Sequence, residues 1–167
     1  MTDEPLYRQL GFSDEEWGLL VGLPQAVLVA ASAAEDDSTR RTQAENAAGL
    51  EAISAGRESA SPLVAAVAME LVSRVGDPET GEELPVIEPT DPEATIADTL
   101  RRAQDAATLL AGKVDAGEAG AYKHWLVSIA EEVVTAAPSG GVLGVGGEQV
   151  SESERRFRDE LATVLID

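Results

Sequence analysis

The chain has 167 residues, 44% hydrophobic and 26% charged, the size and balance of one globular domain that buries a core without covalent staples. Its 31 acidic and 12 basic residues give a formal net charge of −19, which argues against nucleic acid and anionic membranes as partners, since both recruit clustered Lys and Arg. Cysteine is absent, which excludes disulfides and thiolate chemistry, and the single histidine, His124, leaves any triad or imidazole metal site resting on one residue.

The first residues, Met-Thr-Asp-Glu-Pro, are acidic where a secretory signal would be basic, so a cytoplasmic protein is expected. Two lysines stand against ten arginines. Two origins of that bias stay open: a salt-rich, halophilic cytoplasm, in which carboxylates keep a hydration shell, and a GC-rich genome.

Periodicity predicts helix almost throughout. A short helix is expected near 4–10. A longer one over 14–34 opens on Ser13-Asp14-Glu15-Glu16, a capping box with Ser13 as N-cap and Glu16 three residues on. From Gly18 to Ala34 it runs 17 residues without a charge. That run has the lower limit of a membrane span, but it contains Pro24 and Gln25 and lacks basic flanks. A central buried helix, kinked at Pro24, is the expectation. A third helix over 39–55 starts at Ser38 or Thr39. A fourth over 62–75 has Ser61 before a proline at its first position, and a fifth over 92–113 repeats the device with Asp91-Pro92. The fifth carries Ile96, Leu100, Ala103, Ala107 and Leu110 on one side. A sixth is expected over 119–136. A seventh over 152–166 follows a second capping box at Ser151-Glu152-Ser153-Glu154. It turns Phe157, Leu161, Val164 and Leu165 to one face and Arg155, Arg156, Arg158, Asp159 and Glu160 to the other. Residues 76–91 form a long acidic, proline-rich connection. The expected architecture is all-α: a single domain over 1–167, a compact bundle of six to seven helices. Trp17 and Trp125 each open an apolar helix followed by a loop and a charged helix, which raises the further expectation of two similar halves.

Four groups of residues could carry chemistry. Glu35, Asp36 and Asp37 could offer hard oxygen ligands to a divalent cation, or be a solvated acidic turn; the calcium-loop spacing is absent. Asp77, Glu79, Glu82 and Glu83 pose the same alternative. In Gly140–Gly147 five of eight residues are glycine. No lysine follows and no strand precedes, so a phosphate loop is disfavoured. The run reads as backbone approach with Val142, Leu143 and Val145 tucked inward, or as a partner-docking loop centred on Gly141, Val142, Leu143, Gly144 and Val145. His124, beside Tyr122, Lys123 and Trp125, could be a general base with Glu131 or Glu132 as partner; the alternative is a surface histidine beside core or pocket-lining aromatics.

The run Gly147-Glu148-Gln149-Val150-Ser151-Glu152-Ser153-Glu154 resembles the inter-helix loops of the TerB-like tellurite-resistance helical proteins, whose pattern is acid-Gly-x-aliphatic-Ser-x-x-Glu. Here one more residue separates glycine from valine, and Gly146 stands where that family has an acid. The resemblance covers about a dozen residues, most of them a capping box. It implies an all-helical bundle with an acidic metal-binding or stress-linked role.

The function expected from the sequence is therefore non-enzymatic: no cofactor, and contact with a protein partner or a second copy of the chain. Two alternatives are kept. One is a TerB-like protein binding a divalent cation through Glu35, Asp36 and Asp37. The other is a small-ligand or enzymatic pocket near His124 and Trp125.

Overall fold

The computed structural model describes residues 6–33, 39–75, 91–136 and 152–166. They form seven α-helices: α1 (Leu6–Gln9), α2 (Asp14–Ala33), α3 (Thr39–Ala55), α4 (Pro62–Val75), α5 (Pro92–Lys113), α6 (Ala116–Thr135) and α7 (Glu152–Ile166), with one 3₁₀ turn at Gly56–Glu58. No strand occurs among the described residues. The protein is an all-α bundle.

Three helix starts follow the capping chemistry expected from the sequence, at Ser13, Ser61 and Asp91, while Ser38 and Ser151 lie outside the described residues. Ser13 N–H donates to Glu16 Oε1 at 2.8 Å and Glu16 N–H to Ser13 Oγ at 3.1 Å, the reciprocal pair of a capping box. The Asp91 carboxylate accepts from Ala94 N–H at 3.1 Å. Ser61 Oγ accepts from Val64 N–H at 3.2 Å. Helix α6 begins three residues before the expected start, because Asp115 accepts from Glu118 N–H at 2.8 Å and caps it. Between α1 and α2 the chain turns through Gly11, whose φ of 95° suits glycine. Gly11 N–H reaches Arg8 O and Phe12 N–H reaches Tyr7 O, both at 3.0 Å, the two bonds of a Schellman closure.

Helix α2 lies at the centre, touching α3, α4, α5, α6 and α7. Leu20, Val21, Leu23, Val27, Leu28 and Ala30 are all buried. Past the acidic first turn, the described residues of α2 that are exposed are Gly18 and Gly22, so the apolar run shows solvent little side chain. No described helix is long and apolar enough to cross a membrane.

Pro24, inside α2, has no N–H to give the Leu20 carbonyl one turn earlier. Tyr122 of α6 supplies the missing donor: its hydroxyl gives a 2.7 Å hydrogen bond to Leu20 O, with the ring fully buried. Burial pushes the Tyr122 phenol well above its ordinary pKa, which keeps it protonated and donating.

Helix α3 crosses closely at Gly49, where an added Cβ would lie 2.5 Å from Leu28 and 2.8 Å from Val133. Its buried stripe is Glu45, Asn46, Gly49, Leu50, Ile53 and Ser54, so a carboxylate takes a core position. Ser32 Oγ donates to Glu45 Oε2 at 2.8 Å. On α5 the buried centre is Thr99, Ala103, Ala106 and Leu110, while Ile96, Leu100 and Ala107 sit at its half-buried edges. The apolar face is thus rotated from the expected one, and Leu100 is left at a rim. On α7, Phe157, Leu161 and Leu165 are buried and Val164 is half-buried.

Candidate functional site

Among the described residues, three surface recesses stand out. The largest of the three in volume, 650 Å³, is a shallow, open recess along α7 beside α5. Its α7 wall is a continuous stripe of Arg155, Arg156, Asp159, Glu160, Thr163 and Val164. The stripe exists because Phe157, Leu161 and Leu165 turn the opposite side of α7 into the core. Leu100 supplies the apolar contact from α5, and Val164 adds a second half-buried aliphatic group.

The arginines of this stripe differ from most other described arginines. Arg8, Arg74, Arg102, Lys113 and Arg158 each pair with a carboxylate, as does Arg101 with Asp98. Among the described residues Arg155, Arg156 and Glu160 make no ion pair, and Asp159 meets only its neighbour Arg158 at 3.4 Å. Two free guanidinium groups on a chain of net charge −19 leave strong attraction unused. The charges are ordered along the helix: two cations, then, one turn on, two anions.

The second recess, 380 Å³, lies where α5 passes into α6 and includes Lys123, His124 and Leu165. The third, 520 Å³, lies between α3 and α6 around Trp125, with His124, Ser128, Glu51 and Glu132 on its walls. Trp125 is held there by a 3.1 Å bond from Nε1 to Ala52 O near the C-terminus of α3. Gly56 allows the approach, since a Cβ there would lie 2.8 Å from the indole. His124 is exposed on the ridge between these two recesses and makes no hydrogen bond or ion pair among the described residues. Glu132, two turns on, stands about 12 Å away along the axis, beyond reach of the imidazole as a hydrogen-bond partner. Tyr122 is core, and Trp125 lines a recess.

The proposed cation ligands Glu35, Asp36 and Asp37, the acids at 77–83 and the glycine run with Gly141, Val142, Leu143, Gly144 and Val145 lie outside the described residues. Among the described residues no group of three or more His, Asp or Glu side chains gathers in a way that could hold a metal. Sequence reasoning found the polar face of α7 but missed its groove. The groove depends on Leu100 standing at the edge of α5, and only the rotation of that helix sets this. Buried Glu45 was also missed, although its four-residue spacing to Gly49 and Ile53 places it on the inner stripe of α3.

No protein-family model, curated protein or solved structure matches the chain.

Proposed function

We propose that this chain is a non-enzymatic, cytoplasmic binding protein that holds another polypeptide along α7. One observation carries the reading: an exposed stripe with two guanidinium groups that make no ion pair among the described residues, two carboxylates and an aliphatic floor, on a protein whose Arg8, Arg74, Arg101, Arg102 and Arg158 each pair with a carboxylate. Such a surface combines apolar contact with directional charge, and charge complementarity sets partner choice and orientation more than raw affinity.

A photo-crosslinking side chain at Thr163, in the stripe, tests this against the same group at Ser128, in the α3/α6 recess. Adducts with a polypeptide from Thr163 and not from Ser128 support the reading. Adducts from Ser128 alone, or from neither position, sink it.

A second reading is favoured by the Trp125 recess, whose indole wall, hydroxyl and carboxylates suit a small polar-aromatic ligand. A compound that raises the melting temperature of the wild type but not of Ser128→Tyr would establish it. A divalent cation at Glu35, Asp36 and Asp37 is tested by unfolding with Ca²⁺, Mg²⁺ or Mn²⁺ at matched ionic strength. An ion-specific gain lost in Asp36→Asn/Asp37→Asn supports that site.

A further inference from the structure

We infer that the occupant of the α5/α7 groove is a second copy of this chain, bound through its own α7 in antiparallel orientation. This rests on the reading of α7 as a protein-binding surface and goes beyond it by naming the partner. The stripe is self-complementary. Arg155 and Asp159 lie on one flank of the stripe and Arg156 and Glu160 on the other, so in an antiparallel pair centred on the Phe157–Arg158 peptide bond Arg155 faces Asp159 of the other copy and Arg156 faces Glu160. The two-fold axis repeats both contacts, so each copy gives and receives the same pairs. A parallel arrangement would set like charges against each other. Antiparallel helices packed about 8–10 Å apart bring the flexible arginine and carboxylate side chains within reach of one another. Leu100 and Val164 add apolar surface beside the charged pairs.

Each copy carries a net charge of −19, so two copies repel at a distance while their stripes attract at contact. Salt screens the long-range term first, with a Debye length of about 30 Å at 0.01 M and about 8 Å at 0.15 M. Association therefore strengthens as KCl rises from low to physiological concentration. The contact is one helix wide, which places it among small, transient interfaces with dissociation constants on the order of micromolar.

The test is sedimentation velocity over a concentration series in 0.15 M KCl, on the full chain, with circular dichroism to confirm folding. Wild type is expected to shift from monomer to dimer with concentration. Arg155→Glu/Arg156→Glu and Asp159→Arg/Glu160→Arg each place like charges opposite one another and should weaken the dimer by about tenfold or more. The quadruple variant with both changes restores antiparallel complementarity and should regain the wild-type dimer. A wild type that stays monomeric to about 0.5 mM, where even millimolar affinity would show, overturns the inference. So does a dimer indifferent to both double variants, or a quadruple variant that remains monomeric. If the wild type is monomeric while Thr163 crosslinks a different polypeptide, the second copy is excluded and the binding surface on α7 stands.

Discussion

Helix α2 buries side chains on most of its circumference and touches five other helices, while α7 buries Phe157, Leu161 and Leu165 and turns a charged stripe outward. Both belong to one core, but their sequences are constrained differently. Most substitutions on α2 change packing or an internal hydrogen bond. On α7 the inner three residues fix the helix, which leaves Arg155, Arg156, Asp159 and Glu160 of the outer face free to carry charge. On the proposed reading, stability and recognition are separated on different faces, and the comparison can be broken by substitution.

The largest effect is expected at the centre. Leu20→Ala removes a fully buried side chain and should cost about 3–5 kcal/mol in a denaturant titration, whereas Val164→Ala, half-buried in the groove, should cost under about 1 kcal/mol. Equal losses would mean that the α7 flank is as tightly packed as the core.

An intermediate effect tests the bond that ties α6 to α2. Tyr122→Phe removes the donor to Leu20 O and should cost about 1–3 kcal/mol, because a buried carbonyl loses its partner. In a Pro24→Ala background the helix recovers its own N–H at that position. The same change should then cost about 1 kcal/mol less, read as the coupling in a double-mutant cycle. No coupling would show that Leu20 O finds another donor.

The smallest effect lies at the exposed start of α2. The Ser13 backbone N–H holds the Glu16 carboxyl below its ordinary pKa, and the Tyr7 hydroxyl and Arg8 guanidinium do the same to Asp14. Both folded pKa values are depressed, so the stabilisation is present above the unfolded value, 4.5 for Glu16, and is lost as pH falls through the folded value. Glu16→Gln should flatten the acid limb of stability against pH. An unchanged limb would assign it to other carboxylates.

Much of the fold was legible in the sequence because helix ends are local chemistry. Ser13 with Glu16, Ser61 before Pro62 and Asp91 before Pro92 each satisfy backbone donors within one turn, so the starts can be read without knowing the neighbours. The start of α6 escaped because Asp115 follows so closely on α5 that the two helices share one short junction. The candidate site was only half legible. The charge order of α7 is plain in Arg155–Glu160, but the groove beside it is not.

The sequence by itself determined the helices, the caps at Ser13, Ser61 and Asp91, the buried run of α2 and the two faces of α7, because each depends on spacing within one segment. Only the tertiary structure decided that Tyr122 completes the hydrogen bonding broken by Pro24, that Gly49 and Gly56 mark close approaches, and that Leu100 opens a groove beside α7. The reason is physical. Periodicity places a residue on a face to within about one residue's rotation, 100° in an α-helix. Which edge of that face meets solvent and which meets another helix depends on how neighbouring helices cross, and that is settled by the joint packing of all of them.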